Sequence, residues 1–362
     1  MADWAASGRK DTYTFAAVDP FTLVEICEVQ AIPESCSLTF GYYTDNKAQA
    51  NISIPESEYP KVRGNLIRVS HTVELPTGET ESEVLGTFFI DSADKETDTA
   101  IPTRRLVCYS TMWRLSKSKL TADYVYHTNQ ACLEGLTNLM TAAGSTVVAG
   151  QGVDNSRVHT RDGRFAIGKN RLECANTYAG WLGWIIGVDG YGRQTLDKYV
   201  IPANRAPKAH FENGANCVYL PKARETSTGE TYNEVIAYWS REKDPGDGYG
   251  LCGRAYVQLD AANPYSYQSC GVRMTGEVVL REPTAQADLQ TIAQDYLNEH
   301  DAAIRYIEIE HVGIPNLHAG DTITYTNSDG GDFNLLCEIT QMQISKLGPL
   351  CMTKTKLKVV GE

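Results

Sequence analysis

A glycine-rich segment of this chain has a spacing that could serve nucleotide chemistry. Gly248–Gly253 satisfies the pattern G-x-G-x-x-G. The pattern binds a dinucleotide when a strand precedes it and a helix follows it, because the N-terminus of that helix holds the pyrophosphate. Here Asp244–Asp247 precedes the pattern and the strand-like run Ala255–Asp260 follows it. We therefore interpret the segment as an ordinary loop and predict no cofactor.

A second group contains residue types that ligate metals. It lies in the C-terminal part of the chain and comprises His300, Glu308, Glu310, His311, His318 and Asp321. No pair has the H-E-x-x-H spacing that places two ligands on one helix face. Glu308 and Glu310 fall on the same face of a predicted strand, where solvated carboxylates are ordinary. We predict that the chain has no metal site.

The chain also lacks the local signatures of nucleophilic catalysis. It contains no G-x-S-x-G elbow and no recognisable Cys–His nucleophile context. A carboxylate pair for glycoside hydrolysis stays an open alternative among the 45 acidic residues, since such a pair is defined by a separation of about 5–10 Å in space. We predict that the protein is not an enzyme, and we assign no catalytic residue.

The amino-acid composition excludes some classes of binding partner. The 362 residues include 45 Asp and Glu against 33 Lys and Arg, a formal net charge of −12. This excess argues against a protein that grips nucleic acid or an anionic membrane, which are bound by clustered Lys and Arg. The longest apolar run, Trp181–Val188, is too short to span a bilayer, and Met1–Lys10 has no apolar stretch typical of a signal peptide.

The first third of the chain is predicted to form short strands. Tyrosine is frequent, with 20 Tyr against 8 Phe, and Pro, Gly, Asp and Asn separate β-prone runs. The predicted strands are Tyr13–Val18, Leu23–Val29, Ser37–Tyr43, Ala50–Ile54, Leu66–Leu75, Val84–Ser92 and Arg105–Tyr109. Regular short strands of this kind predict a barrel or a sandwich. No convincing helix pattern occurs before about residue 128.

In the middle of the chain, the spacing of the apolar residues changes from the alternation of a strand to the period of a helix. Apolar residues recur at helical spacing over 129–143, with Thr128 as the expected N-cap. A second helix is predicted over 171–182, and Asn170 is its expected cap. Trp184–Tyr199 then predicts a β-hairpin.

The last part is β-rich around one helix. Thr284 is a suitable N-cap, and Leu289–Leu297 has the apolar spacing of a one-sided helix. Alternating runs then predict strands over Ala303–Val312, Asn334–Ile344 and Cys351–Val360.

Two local charge clusters stand out. Glu74–Asp98 carries eight acidic residues and one basic residue. The basic cluster comprises Arg157, Arg161, Arg164, Lys169 and Arg171. Such runs are ordinarily solvated surface, and the alternative is a surface that faces a partner or a channel.

Several segments, taken in chain order, resemble the hub protein of phage tails. Ile314–Ile323 resembles the P-x-L-x-x-G-D-x-I element of that family, which forms a tight turn. In this turn the ring of Pro315 fixes its own φ, whereas Gly320 can adopt φ values that other residues avoid. Leu85–Asp91 resembles an early strand of the family, and Val188–Gly192 resembles its V-D-x-x-G hairpin. The resemblance covers nearly the whole chain as an order of elements.

The resemblance implies a homotrimeric ring at the distal end of a phage tail, or of a related injection machine. Each subunit of such a hub contributes two tube-type β-barrel domains, so that a sixfold tube joins a threefold tip. The implied partners are the tail tube or distal tail protein, the tape-measure protein and the tip, spike or fibre protein. DNA would pass only as cargo, without membrane insertion, and channel-lining acids of Glu74–Asp98 would repel it.

The expected fold class is therefore mainly β (α+β), with two tube-type β-barrel domains and an α/β insertion between them. The expected domains are 1–117 for the first barrel, 118–203 for the α+β insertion, 204–283 for a β-rich linking domain that in part returns to the first barrel, and 284–362 for a helix and the second barrel.

The expected function is that of a structural virion protein, assembled in the host cytoplasm. It would be a hub that joins the tail tube to the tip or spike and forms part of the channel for genome ejection. The alternatives are a tail-associated hydrolase and a receptor- or glycan-binding tail module. We expect no further domain after residue 362, so a cell-wall-degrading activity would belong to another chain.

Overall fold

The computed structural model describes Trp4 and residues 8–96, 102–150, 152–160, 162–221, 226–227, 231–241, 250–280, 285–300 and 304–361. The architecture is mainly β, as the sequence predicted, and one large sheet runs through much of the chain. Within these residues, no helix is long and apolar enough to cross a membrane.

The N-terminal third forms seven strands that match the seven predicted runs. Their bounds are β1 Lys10–Val18, β2 Glu25–Val29, β3 Ser37–Gly41, β4 Ala48–Pro55, β5 Leu66–Glu74, β6 Thr80–Glu96 and β7 Thr103–Ser110. They lie in the antiparallel order β2-β1-β5-β6-β7-β4-β3. Because side chains alternate along a strand, one side enters a core that includes Phe15, Ile52 and Leu106. A short helix, α1 Tyr59–Val62, lies between β4 and β5, where none was predicted.

The insertion combines helices with short strands. Its elements are α2 Trp113–Lys117, β8 Tyr124–Tyr126, α3 Cys132–Thr141, β9 Val147–Ala149, β10 Gly163–Phe165, α4 Arg171–Trp181, β11 Trp184–Val188 and β12 Gln194–Lys198. The two longer helices and the hairpin β11–β12 confirm the predictions. Asn170 caps α4, because its side chain accepts two backbone N–H groups of the first turn. The prediction that Thr128 caps α3 is wrong, since the N-cap position is Ala131 and the Thr128 hydroxyl donates to Asp162.

The next part contains a small sheet covered by a helix. Its elements are β13 His210–Glu212, β14 Cys217–Tyr219, β15 Thr226–Ser227, β16 Glu234–Arg241, β17 Gly250–Gln258, α5 Tyr267–Cys270, β18 Thr275–Leu280 and α6 Gln286–Asn298. β16 lies between β17 and β18, and α6 packs on this sheet through Leu289, Ala293 and Leu297. The helix was predicted from this apolar spacing, and Thr284, its expected N-cap, lies outside the described residues. The sequence grouped the helix with the strands that follow it, whereas the structure packs it on the strands that precede it.

The C-terminal part forms four further strands. They are β19 Ile304–Val312, β20 Thr322–Asn327, β21 Asp332–Ile344 and β22 Met352–Gly361. They pair in the order β20-β21-β22-β19 around a core that includes Ile309, Tyr325 and Leu357. β13 pairs with β20 and β14 pairs with β19, so that residues 210–219 border both ends of this group.

One strand pair fuses the N-terminal and C-terminal groups into a single sheet. β3 pairs antiparallel with β21, with Leu38 opposite Ile344 and Phe40 opposite Met342. Phe40 packs against both cores, and Ile344 and Leu347 belong to the first core. The two groups therefore share apolar side chains across the pair. The domain bounds given above stay predictions.

Candidate functional site

The three segments that carry the family resemblance lie around one cleft, which we call the junction. Leu85–Phe88 of β6, the hairpin Val188–Tyr191 and most of the turn Gly313–Gly320 line it. The cleft has a volume of about 1000 Å³ and lies where the N-terminal strands, the insertion and the C-terminal strands meet. Segments that are distant in the sequence are thus brought together, and we take the junction as the candidate functional site.

The turn Ile314–Gly320 leads the chain into β20, as the sequence predicted. Gly320 has a φ of +96°, in the left-handed region that favours glycine, and a Cβ at this position would overlap the ring of Tyr42. The side chain of Asp321 closes the turn by accepting the backbone N–H of His318 at 2.8 Å. Glycine is therefore required both by the backbone conformation and by the close approach of the tyrosine.

A buried carboxylate anchors this turn to β21. Arg205 donates from Nη1 to the carbonyl of Gly320 at 2.6 Å and to Oε1 of Glu338 at 3.1 Å. The hydroxyl of Tyr43 donates to the other oxygen of Glu338 at 2.7 Å. Burial raises the pKa of Glu338 above its ordinary value, although its contacts with Tyr43 and Arg205 act against that rise. The carboxylate of Glu338 has no exposed surface. The charge-assisted hydrogen bonds offset the free-energy cost of removing it from water.

The insertion hairpin docks on β6 through close backbone contact. A Cβ at Gly190 would overlap the carbonyl of Val84, so only glycine allows this approach. The hydroxyl of Thr87 donates to the carbonyl of Gly190 at 2.8 Å, and the hydroxyl of Thr111 donates to the carbonyl of Gly192 at 2.7 Å. The V-D-x-x-G segment is therefore a docking element between the insertion and the first strands.

Arg68 completes the hairpin contact from β5. Arg68 is only 5% exposed, and its Nε donates to the hydroxyl of Thr87 at 3.0 Å. Its Nη2 donates to the carbonyls of Leu23 at 2.9 Å and Tyr191 at 3.3 Å. The remaining Nη1 pairs with Glu25 at 3.1 Å. One guanidinium therefore connects β5, β6, the β1–β2 loop and the insertion.

A second buried polar cluster lies at the start of β1. Asp11 accepts hydrogen bonds from Nη2 of Arg9 and Nε2 of His71, each at 2.6 Å, and from the backbone N–H of Cys351 at 3.1 Å. Burial alone would raise the pKa of Asp11, but the bonds from His71 and Arg9 hold that pKa below its ordinary value. Arg9 also donates to the carbonyl of Gly313 at 2.6 Å, which ties β1 to the turn.

The same cluster reaches the turn through β6. Nδ1 of His71 lies 3.7 Å from Oε1 of Glu83, whose other oxygen accepts the backbone N–H of Asn316 at 2.9 Å. The side chain of Asn316 donates to Glu81 at 2.9 Å. Burial alone would lower the pKa of His71, but the hydrogen bond to Asp11 and the nearby carboxylate of Glu83 raise it above its ordinary value.

Three arginines that donate to backbone carbonyls of the junction segments were not predicted from the sequence. Arg9 and Arg68 are buried, and the side chain of Arg205 is 17% exposed. Arg68 carries a usable signal, because a charged residue interrupts the apolar run Leu66–Val69. Arg9 and Arg205 do not interrupt a predicted strand or helix, and nothing local in the sequence distinguishes them from surface residues.

The candidate metal ligands are dispersed in the structure. His311 is buried in the C-terminal core, where Nδ1 donates to the carbonyl of Val312 and Nε2 accepts from the hydroxyl of Thr355, both at 2.8 Å. Burial lowers the pKa of His311 to about 4. His300 stacks on Tyr296 with ring centroids 4.5 Å apart.

The other candidates occupy separate surfaces. Glu308 and Glu310 lie opposite Lys356 and Lys354 in the β19–β22 pair, while His318 is exposed and Asp321 pairs with Lys208 at 2.8 Å. Within the part of the chain that the structure describes, no three His, Cys, Asp or Glu side chains are grouped as a metal site would require.

The glycine-rich pattern lies only partly within the described residues. Gly248 and Tyr249 fall outside them, and Gly250–Gly253 begins β17. The loop interpretation is therefore wrong for Gly250–Gly253, which already belong to the strand. The segment after the pattern is a strand, as predicted, and the helix that pyrophosphate binding needs does not follow it.

Most of the basic cluster has structural partners. Arg157 donates to the carbonyl of Leu182, just after α4, and Arg171 donates to the carbonyl of Leu139 near the end of α3, both at 3.2 Å. Arg164 pairs with Asp123 at 3.1 Å and remains 62% exposed. Lys169 is also exposed, and Arg161 lies outside the described residues.

The acidic cluster divides between the junction and the surface. Glu81 and Glu83 bind Asn316, as described above. The exposed members are Glu74, Glu79, Asp91, Asp94 and Glu96, and Asp98 lies outside the described residues. The proposal that acids of this cluster line a channel stays a prediction.

The fold is shared with solved structures of tail proteins. A tail protein from Neisseria meningitidis MC58 matches with a TM-score of 0.63 and 12% identity, over 96% of this chain and 96% of that chain. The 43 kDa tail protein of prophage MuSo2 from Shewanella oneidensis matches with a TM-score of 0.59 and 11% identity, over 96% of this chain and 98% of that one.

A similar fold occurs in a secretion machine. The c3393 protein of E. coli, a component of the type VI secretion system, matches with a TM-score of 0.51 and 10% identity, over 92% of this chain and 75% of that chain. By sequence, no family model and no curated protein matches the chain. The resemblance to tail proteins is thus confirmed as a shared fold.

Proposed function

We propose that the chain is a structural component of a phage tail or of a related injection machine, and that it acts as a trimeric hub between the tail tube and the tip. The observation that carries this proposal is the fold match with tail proteins over 96% or more of both chains. A match of this extent supports a shared whole-subunit architecture, and not only one module in common.

The proposed mechanism is mechanical. The buried networks around Arg68, Arg205 and Asp11 hold the N-terminal strands, the insertion and the C-terminal strands in fixed relative positions. A subunit that must transmit force along a tail needs such internal rigidity, and charge-assisted bonds between buried groups provide it. Three such subunits would surround the channel, contact the tail tube and the tape-measure protein on one side, and hold the tip on the other.

We further propose that the chain has no catalytic role. The polar groups of the junction bind one another and the backbone, as in the Arg205–Glu338 pair, and His311 is buried in a core. These arrangements favour stability of the subunit over contact with a substrate. Any activity against the cell wall would then belong to another protein of the particle.

Sedimentation of the purified chain, together with activity assays, tests the proposal. We expect a species of three 39.9 kDa chains, with no release of products from peptidoglycan or from surface glycans. A monomer that degrades either substrate would contradict the proposal and favour the tail-associated hydrolase. A monomer with saturable affinity for host cells would favour the receptor-binding module.

A further inference from the structure

Strand β2 ends the large sheet with an exposed apolar edge. β2 pairs with β1 on one side, and no described strand pairs with its other side. The exposed fractions of Phe21, Val24 and Ile26 are 84%, 62% and 54%. Free edges are usually shielded by lysine, proline or a covering loop, because they otherwise pair with other chains. Lys61 of α1 reaches this edge and donates to the carbonyl of Glu28 at 3.3 Å. The exposed side chains of the edge are nevertheless apolar or acidic, and we define the β2 edge by Phe21 and Val24 of the preceding loop with Glu25, Ile26 and Glu28 of β2.

The insertion carries a surface of opposite charge. Ile167 and Val125 are 63% and 45% exposed, and three exposed cations lie in the same part of the fold. Arg164 is opposite Val125 in the β8–β10 pair, and Lys119 forms a β-bridge with Asn170, next to Lys169. The insertion surface is defined by Lys119, Val125, Arg164, Ile167 and Lys169. Asp123 pairs with Arg164 at 3.1 Å, so the positive charge of this surface rests on Lys119 and Lys169.

We propose that the β2 edge of one copy binds the insertion surface of the next copy. This inference rests on the proposed ring-forming function and identifies the surfaces that would form the ring. Both surfaces expose aliphatic or aromatic side chains, whose removal from water favours association. Glu25 pairs with Arg68 of its own chain, so it is the exposed carboxylate of Glu28 that would approach Lys119 and Lys169, which makes the contact complementary in charge as well.

Charge also decides how the copies are oriented. If two β2 edges paired antiparallel around a twofold axis between Ile26 and Cys27, Glu25 of each copy would lie opposite Glu28 of the other, and like charges would repel. A contact between two different surfaces avoids this repulsion. Contacts of that type repeat from copy to copy and generate a closed ring when the rotation closes.

A disulfide trap tests the contact directly. Cys27 is an exposed thiol on β2, so Ile167→Cys would place a second thiol on the surface that should meet it. We expect mild oxidation to give covalent dimers and trimers on a non-reducing gel. The matched control, Ile167→Cys with Cys27→Ser, keeps the exposed Cys270 and should give none of these species.

The outcomes separate this inference from the proposed function. A trimer in sedimentation that forms no Cys27-dependent crosslink, or only an intramolecular one, would overturn the proposed contact and leave the hub function standing. A protein that sediments as a monomer at all concentrations would contradict the hub function itself.

Charge reversal provides a second test that does not depend on cysteine geometry. Lys169→Glu should weaken trimer formation roughly tenfold, because a repulsive pair would occur at each of the ring's contacts. Glu28→Lys combined with Lys169→Glu should restore it. The control Lys346→Glu changes the net charge by the same amount at an exposed site elsewhere and should leave assembly unchanged. Equal effects of the two lysine reversals would argue against the proposed surfaces.

Discussion

Gly320 shows how one residue of the junction meets two separate demands. Its φ of +96° is unfavourable for any side chain, and a Cβ would also overlap the ring of Tyr42. We predict that Gly320→Ala lowers the free energy of unfolding by about 2–4 kcal/mol, as the sum of backbone strain and overpacking. The shift of the denaturation midpoint in urea measures this loss.

A second glycine provides the matched control. Gly331 has a φ of +81°, but a Cβ there would meet no atom within 4 Å. Gly331→Ala should therefore show the strain alone, and the difference between the two variants reports the contact with Tyr42. Equal losses in both variants would contradict the tight packing of the turn.

His311 makes stability depend on pH. Burial holds its pKa at about 4, below the ordinary value of 6.5, so the folded chain disfavours the proton that the unfolded chain binds. Its contribution to stability is therefore complete above pH 6.5 and is lost as the pH falls towards 4. The loss should reach roughly 3 kcal/mol, at about 1.4 kcal/mol per pKa unit.

Replacement of the histidine isolates this effect. Urea denaturation of His311→Gln between pH 4 and 6.5 should show a shallower loss of stability on acidification than the native chain shows. His318→Gln, at an exposed site, should keep the native slope. His71 acts in the opposite sense, since its raised pKa adds stability that is lost as the pH rises above 6.5. An unchanged slope in His311→Gln would contradict the burial of a neutral imidazole.

The residues of the junction could be predicted only in part. Gly320 was identified because its motif and the strand after it can be recognised locally. Arg205 and Glu338 are separated by more than a hundred positions, and their pairing depends on the fold. His311 could be named as a candidate ligand, but its burial follows from the pairing of β19 with β22, which residue type does not show.

At the scale of elements, the hairpin β11–β12 is held on the N-terminal strands by the buried guanidinium of Arg68 and by the hydroxyls of Thr87 and Thr111. Gln194 of β12 adds a hydrogen bond to Thr111. Arg68→Met keeps the bulk of the side chain and removes its donors, which leaves the carbonyls of Leu23 and Tyr191 without them. We predict a loss of about 1–3 kcal/mol and faster hydrogen exchange in the hairpin. Exchange mass spectrometry would localise the effect.

An exposed arginine of similar sequence position serves as the control. Arg63 lies on the surface between α1 and β5. Arg63→Met should change neither the stability of the protein nor the hydrogen exchange of β11–β12. If the hairpin exchanged at the native rate in Arg68→Met, the docking of the insertion would have to depend on other contacts.

The elements themselves were largely predictable, and the exceptions have physical reasons. Seven β-prone runs gave seven strands, because alternation and turn residues are local signals. Thr128 failed as a cap because the backbone turns at Asn129, with a φ of +66°, and the helix begins only at Cys132. The packing of α6 on β16 and β17 could not be read from its apolar stripe, which shows that a face is buried but not against which strands.

At the scale of the whole molecule, the pairing of β3 with β21 is the decisive feature. It joins strands about 300 positions apart and lets Phe40 contribute to two cores. No local sequence pattern predicts the pairing of such distant strands. The sequence could therefore suggest two β domains without indicating that they form one sheet. The pair makes the N-terminal and C-terminal groups one continuous sheet, as the proposed hub subunit would require.

The net charge of −12 has two consequences for the whole molecule. It argues against tight binding of DNA, yet it suits a channel through which DNA passes. The cations of the insertion surface stand out against this acidic background. Their place opposite the acidic β2 edge of a neighbour would allow copies of an acidic chain to associate.

Electron microscopy of tailed particles that carry a labelled copy of the chain tests the central claim most directly. We expect density with threefold symmetry on the tail axis at its distal end, with one chain in each third of a ring around an open channel. A single copy away from the axis, or a location on peripheral fibres, would contradict the hub.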